Sequence, residues 1–288
     1  MVAKLQKKLC ISKSLPSPFG NNILPLHIIY IYNAMEKATK SMLREMAERY
    51  ETADFINGDP SWFMHQVTGN GNQETIAFLA SVLSYGRRDL FLPKIQQFLD
   101  WSGNEPLRWV LDGAYRDNVP DDTRSFYRLY NNHMMRALLD ALHDILSGYG
   151  SIGGFIRQRT PEHRAVEALE VLSQFFYSRG IKGMVPSPHS SVAKRPCMFL
   201  RWMVRDGSPV DLGLWGDFID KRTLFIPMDT HVLQEARAIG LIGSKTASWN
   251  TVVKLTEALR EMFPDDPVRG DFALFGYGVN KEKEIKYV

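Results

Sequence analysis

Apolar residues recur at helical spacing through most of the chain, from about residue 36 to residue 278. The clearest stripe contains Val252, Leu255, Leu259 and Met262, whose intervals of three and four residues place them on one helical face. Segment 72–86 is apolar on nearly all sides, which is typical of a central buried helix. No apolar–polar alternation of useful length indicates a strand, so the predicted fold class is all-α. Helices are predicted over 36–50, 72–86, 88–101, 123–147, 162–178, 192–205, 230–239, 249–263 and 270–278.

Turn-forming residues separate these segments. Four glycines between residues 148 and 154 predict one break. Segment 180–191 contains two Gly, two Pro and three Ser, and it is predicted to be a loop.

The amino-terminal segment differs in composition from the rest of the chain. Residues 1–34 contain four lysines and no acidic residue, so a formal net charge of +3 leaves −1 for the remainder. The apolar run at 23–32 has about ten residues, too few to span a bilayer, and it fits a signal peptide poorly. We interpret 1–34 as a disordered leader or an upstream translation, with Met35 as the start and 35–288 as the all-α domain. We expect a cytoplasmic protein with no membrane partner.

Cysteine and histidine usage limits the possible metal chemistry. The chain has two cysteines, Cys10 and Cys197, which excludes a disulfide framework and a four-cysteine metal or iron–sulfur site. The histidines form no pair with ligand spacing. We therefore expect neither a metal nor another cofactor.

Asp229 is the first candidate for chemistry. It lies where an apolar approach ends and an amphipathic helix begins, in the run Ile-Pro-Met-Asp-Thr-His-Val at 226–232. Asp is among the best N-cap residues, so a purely structural role is the alternative. The run resembles the (V/I)-x-V-D-T-H-(V/I) segment of the helix-hairpin-helix DNA glycosylase superfamily. The resemblance implies that Asp229 is the catalytic carboxylate and that His231 contacts DNA.

Two further segments extend this resemblance over most of residues 50–280. Residues 74–87 are similar to the early core helix of endonuclease III-type enzymes, which leads into a loop at the lesion pocket. Residues 271–278 look like the last core helix, where an acidic residue opens an apolar run. The resemblance implies two helical lobes around a cleft, one built mainly from 75–180 and the other from both chain ends. It also implies that 180–191 and 206–224 border the cleft and that Tyr85 lies at the base pocket.

Lys194 is the candidate nucleophile. Residues 190–205 resemble the second helix of the family's hairpin, where bifunctional members place a Schiff-base lysine at the helix start. Lys194 occupies that place. A helix N-terminus and partial burial would both disfavour the charged form of such a lysine. The alternative is a solvated or phosphate-binding cation.

The chain departs from common family members in two ways. Lys194 and Asp229 lie 35 positions apart, a long separation that is similar to the archaeal 8-oxoguanine glycosylase branch. The glycine-rich hairpin turn, whose amides hold a DNA phosphate, is here Pro-Ser-Pro-His-Ser-Ser at 186–191. The hydroxyls of Ser190 and Ser191, with free amides at the helix start, could replace that phosphate site.

Further DNA contacts are predicted on the same helix. Lys194, Arg201 and Arg205 have helical spacing, and with Arg195 they could contact phosphates. The alternative is the charged outer face of a core helix. Trp202 and Trp215 either stack on a flipped base or pack in the core.

These observations lead to one function and two alternatives. The segments K-R-x-x-M-F-L-R-W-M-V-R and I-P-x-D-T-H also look like those of an uncharacterised bacterial family common in Bacteroidetes. We expect a monomeric DNA glycosylase of base excision repair that removes an oxidised purine from double-stranded DNA, with or without an abasic-site lyase step. The alternatives are a non-catalytic nucleic-acid-binding protein with the same fold, and an all-α interaction protein with no nucleic-acid role.

Overall fold

Helices dominate the part of the chain that the computed structural model describes, which is residues 26–286, without the side chains of 26–36, 279–280 and 282–286. The predicted all-α class is confirmed. The α-helices are α1 Leu26–Tyr50, α2 Asn70–Leu83, α3 Arg88–Ser102, α4 Pro106–Leu111, α5 Tyr115–Asn118, α6 Asn132–Tyr149, α7 Ile152–Arg157, α8 Ala165–Ser178, α9 Lys194–Val204, α10 Thr230–Ala238, α11 Trp249–Arg260 and α12 Gly270–Lys286. Short 3₁₀ helices occur at Ala53–Ile56, Pro60–His65, Lys221–Thr223 and Pro267–Arg269.

The predicted helix at 123–147 is wrong in its first part. Strands β1 (Ser125–Tyr127) and β2 (Tyr130–Asn131) form an antiparallel hairpin there, and only then does α6 begin. The strands are too short to show alternation in the sequence, which explains the error. Asn131 ends the hairpin and starts the helix, because its side chain accepts a hydrogen bond from the Met134 amide at 2.8 Å.

Two other boundaries differ from the predictions. The glycine-rich break contains α7, which Ser151 caps by accepting a hydrogen bond from the Gly154 amide. Helix α1 begins at Leu26 and not at residue 36, since the residues between them contain no helix breaker. Residues 1–25, most of the proposed leader, lie outside the described residues.

Buried apolar side chains form two clusters. The larger extends from Phe63 to Leu224 and adds Val268. The smaller combines Leu43 and Ala47 of α1 with side chains from Ile226 to Leu274. Helix α1 packs along α12, so both ends of the described chain contribute to the smaller cluster. The division into two lobes around a cleft stays a prediction.

Buried ion pairs connect helix α9 to the segment that follows it and to helix α12. Arg201 is 3% exposed, and its Nε donates to Asp211 Oδ1 at 3.2 Å. Its Nη1 donates to Asp271, near the start of α12. Burying a charge is costly unless it is paired and hydrogen-bonded, and Arg201 meets both conditions.

Arg205, just beyond the end of α9, is the centre of the same network. It is 2% exposed, and it binds Asp211, Asp266 and Glu51, with its Nη2 2.6 Å from Glu51 Oε1. Burial alone would lower the pKa of Arg205, but these carboxylates hold it above its ordinary value. Since Glu51 directly follows α1, this network links the end of that helix to α9.

We predict that Asp211→Asn destabilises the protein by about 1.5–3 kcal/mol, because it removes charged hydrogen bonds to Arg201 and Arg205, which keep their other carboxylate partners. Chemical denaturation followed by circular dichroism measures the change. Asp217→Asn is the matched control, since Asp217 pairs with Arg157 on the surface and its loss should leave stability nearly unchanged. Equal stability of the two variants would contradict a supporting role for the network.

Candidate active site

Lys194 is the first residue of α9, and it follows a strained turn. Ala193 has φ 46°, in the left-handed region that non-glycine residues rarely adopt. Its amide donates to Ser191 Oγ at 3.0 Å, and its side chain is fully buried, so its surroundings hold this conformation. The turn places the Lys194 side chain, 32% exposed, beside the N-terminus of α10.

Asp229 is the N-cap of α10. Ile226 and Met228 are fully buried and anchor the approach to the cap. Asp229 Oδ1 accepts a hydrogen bond from the Val232 amide at 2.9 Å, and Oδ2 lies 3.3 Å from Lys194 Nζ. One oxygen therefore caps the helix, while the other faces the lysine. The two candidates that the sequence places 35 positions apart form an ion pair.

The environment of Asp229 favours its ionised form. Burial raises the pKa of Asp229, but the charge of Lys194 and hydrogen bonds from Lys194 and the amides of Val232 and His231 outweigh burial. The resulting pKa lies below the ordinary value for aspartate. The side chain is 39% exposed, so it can be reached from solvent.

Asp271 is a second carboxylate near this pair, and its sequence context predicted no chemical role. Burial raises its pKa to about 6, and the negative charge of Asp229 acts in the same direction, while Arg201 and Lys194 oppose the rise. The two carboxylates therefore differ in proton affinity. An acidic residue at the start of the apolar helix α12 was the signal for Asp271 in the sequence.

The turn before Lys194 provides fewer free hydrogen-bond donors than predicted. The amides of Ser190 and Ser191 both donate to the Ser187 carbonyl. The hydroxyl of Ser191 donates to the same carbonyl and accepts from Ala193. Ser190 is exposed, so only its side chain remains as a predicted DNA contact in this turn. The first amides of α9, on Lys194 and Arg195, have no acceptor within the helix because of helix geometry, and Ala193 supplies no side-chain cap.

Arg195 and Tyr85 belong to one internal cluster. Arg195 donates to the carbonyls of Val82 and Gly183 and to the hydroxyl of Tyr130. Its guanidinium also lies 5.3 Å from the centre of the Tyr85 ring. Arg195 thus holds neighbouring segments around the Lys194 helix, and its use as a phosphate contact stays a prediction. Tyr85 is half-buried next to it.

Four predicted site residues are buried, which corrects their proposed roles. Arg201 and Arg205 are the centre of the ion network and present no basic stripe to DNA. Trp202 is fully buried, and Trp215 packs edge-on against Phe199. Neither indole can stack on a base. The spacing was helical, but α9 is covered from Pro196 to Val204, so it has no outer face there.

The buried end of Trp215 has a polar partner that the sequence did not reveal. Its Nε1 donates to Glu74 Oε1 at 2.7 Å, and Glu74 also accepts from the amides of Ile152 and Gly153. Burial raises the pKa of Glu74 despite these hydrogen bonds. Glu74 therefore joins α2, α7 and the segment after α9.

His231 lies in the first turn of α10 and is exposed next to Asp229. The DNA contact that the resemblance implies for His231 stays a prediction. Among the residues whose side chains the structure describes, no three His, Cys, Asp or Glu side chains are grouped to hold a metal ion. No helix in the described part of the chain is long and apolar enough to cross a membrane.

We predict that Lys194→Met raises the pKa of Asp229, because burial stays while the opposing positive charge is lost. In the wild type, the lowered pKa contributes stability above the unfolded value of about 4 and loses that contribution as pH falls through the folded value. In the variant, this loss moves to higher pH. Carboxyl carbon NMR titration measures both values, with Lys221→Met, which breaks an exposed pair with Asp206, as control. An unchanged Asp229 titration would show that the ion pair is not formed in solution.

Comparison with known proteins gives one match. No curated protein and no solved structure matches the chain. One family model, described as a protein of unknown function (DUF2400), matches residues 59–280, a region that includes Lys194, Asp229 and Asp271. Because the match covers well over half of the sequence, the chain belongs to the DUF2400 family.

Proposed function

We propose that the protein is a DNA glycosylase that excises a damaged base, an oxidised purine, from double-stranded DNA. The observation that carries the proposal is the 3.3 Å contact between Lys194 Nζ and Asp229 Oδ2, with both side chains accessible to solvent. Their sequence contexts independently resemble the lysine and aspartate segments of helix-hairpin-helix glycosylases. We further propose that the enzyme acts as a monomer in the cytoplasm.

The pair has the chemistry that base excision requires. An amine attacks C1′ of the sugar while the glycosidic bond breaks, and the base leaves with the electron pair of that bond. Lys194 must first lose a proton to solvent, because the lowered pKa of Asp229 keeps that carboxylate ionised. The ionised carboxylate of Asp229 stabilises positive charge that develops on the sugar. The Schiff base that follows ring opening at C1′ would permit the lyase step.

Two helix N-termini meet at this place. Helix α9 begins at Lys194, and α10 begins after Asp229. The positive ends of helix dipoles favour phosphate groups. Since the chain beyond the first 34 residues is nearly neutral, DNA binding would depend on such a local site and not on overall charge.

A non-catalytic nucleic-acid-binding protein is the second candidate. The observation that favours it is the helix cap itself, because the Val232 hydrogen bond gives Asp229 a complete structural role. The occupied amides of the turn before Lys194 also differ from the phosphate-binding turn of the family that the sequence resembles. The two experiments below separate these candidates.

Borohydride reduction should trap a covalent adduct between the wild-type protein and duplex DNA that carries 8-oxoguanine or an abasic site. Lys194→Gln should abolish the adduct while it preserves the melting temperature and changes DNA affinity by only a small factor. Lys221→Gln is the matched control, because it also removes a lysine from a Lys–Asp pair and should keep full trapping. Base release by the wild type without an adduct would instead identify a monofunctional glycosylase.

Asp229→Asn should reduce base excision by about a hundredfold or more and leave the melting temperature nearly unchanged. Asn caps a helix about as well as Asp, so the fold keeps its cap. Asp206→Asn, which breaks the exposed pair with Lys221, should leave excision unchanged. A wild-type protein that binds lesion DNA, and whose Asp229→Asn variant behaves identically to it, would indicate the non-catalytic binder.

A further inference from the structure

Segment 236–256 is basic throughout its length. It contains Arg237, Lys245 and Lys254 and neither Asp nor Glu. The chain beyond residue 34 carries a formal net charge of −1, so this segment differs clearly from the rest of the body. It comprises the end of helix α10, the turn that follows and the first two turns of α11. The positive charge of the segment is therefore concentrated around one turn between two helices.

The three cations of this segment have no counter-ion in the fold. All three side chains are exposed, and no carboxylate among the described residues forms an ion pair with any of them. The acidic residues that flank the segment are already paired, since Glu235 binds Lys281 and Glu257 binds Arg260. The charge of the segment is thus neither neutralised nor used for packing within the described structure.

Hydrogen bonds hold the turn that carries Lys245. The hydroxyl groups of Ser244 and Thr251 lie 3.0 Å apart, and the Thr251 hydroxyl donates to the Thr246 carbonyl at 2.7 Å. Ser248 caps α11 by accepting a hydrogen bond from the Thr251 amide at 3.3 Å. Lys245 lies between two of these tethered residues. Its backbone is therefore fixed, while its side chain stays exposed to solvent.

The exposed face of α10 connects the basic turn to the candidate site. The exposed residues of this helix are Thr230, His231, Gln234 and Arg237, and none of them is acidic. Glu235, the acidic residue within α10, is 5% exposed, so no carboxylate of the helix interrupts this face. With a rise of 1.5 Å per residue, Arg237 lies about 12 Å along the helix axis from Asp229. A ligand that extends from Asp229 along α10 would reach the basic turn.

We propose that the exposed face of α10 and the turn to α11 form a phosphate-binding surface, on which Arg237, Lys245 and Lys254 contact the backbone of duplex DNA away from the damaged nucleotide. This inference rests on the proposed function. Lysine and arginine are common partners of phosphate oxygens, and such contacts position a duplex without reading its sequence. Each neutralised phosphate also releases counterions, which adds affinity. Since the body of the protein is nearly neutral, a local group of cations is what can hold the duplex.

The test is the salt dependence of DNA binding by the full chain, measured by fluorescence anisotropy. It uses two duplexes of one sequence, one intact and one with a tetrahydrofuran abasic analogue. The variant Arg237→Gln/Lys245→Gln/Lys254→Gln should reduce the slope of log affinity against log salt by about 0.9 for each lost phosphate contact, hence by about 2–3 in total. Affinity should fall equally for both duplexes, because phosphate contacts carry no information about the base. The melting temperature should not change, since the three side chains form no ion pair in the fold.

The matched control replaces three other exposed arginines with glutamine, Arg108, Arg116 and Arg164, which pair with acidic residues elsewhere on the surface. The net charge changes by the same amount, and the salt slope should stay that of the wild type. An equal reduction of the slope in both variants would show that overall charge, and not this surface, binds DNA. An unchanged slope in the first variant would also overturn the proposal.

Failure of the proposed activity gives a different result from failure of the proposed surface. If the triple variant at the basic turn releases the damaged base and keeps the wild-type salt slope, the surface is refuted and the glycosylase proposal stands. If the slope falls in that variant but the wild type releases no base and traps no adduct, the surface is supported and the activity is refuted. Tighter binding of duplex RNA than of duplex DNA through the same cations, or binding of neither DNA duplex by the wild type, would overturn the assignment to DNA.

Discussion

The structure depends on two arginines that are almost fully buried. Arg201 lies in the last turn of α9 and Arg205 follows its end, and carboxylates from α12, from the end of α1 and from the segment after α9 converge on them. An unpaired charge in such a place would cost several kcal/mol. The free energy of folding therefore favours the conformation in which every partner stays in position. The network therefore joins the end of α1, the end of α9 and the start of α12 through hydrogen bonds, whose direction restricts how these helices lie against one another.

The candidate site and the network share helix α9. Lys194 lies at the opposite end of α9 from the network, and the buried residues that follow it belong to the larger cluster. Asp229 begins α10, whose buried residue Leu233 belongs to the smaller core. Asp271 belongs to both the ion network and the candidate site. It binds Arg201, and the charges of Asp229 and Lys194 influence its pKa. The electrostatics of the site and the stability of the fold are therefore linked through one carboxylate.

The sequence predicted those parts of the protein that local pattern determines. Helical spacing identified the main helices, and the contexts of Lys194 and Asp229 identified two residues that the fold places 3.3 Å apart. The sequence left open whether Trp202 and Trp215 stack on a base or pack in the core, and it placed Arg201 and Arg205 at DNA phosphates or on an outer helix face. Spacing shows which residues share a face but not what covers that face. Asp211 is a decisive partner that lies in a loop, where no periodicity exists.

The hairpin at 125–131 shows a second limit of the sequence. Its strands are three and two residues long, below the length at which alternation can be recognised. Its conformation depends on Tyr85 and Gly86, about 40 positions away, so the local sequence does not contain the cause of its shape.

Lys194 and Asp229 begin two helices whose buried residues belong to different apolar clusters. Their contact therefore depends on how these two clusters pack against each other, and not on the local sequence around either residue. A substitution that shifts this packing would change the Nζ–Oδ2 distance of 3.3 Å without altering either side chain. The tertiary packing of the chain thus sets the electrostatics of the candidate site.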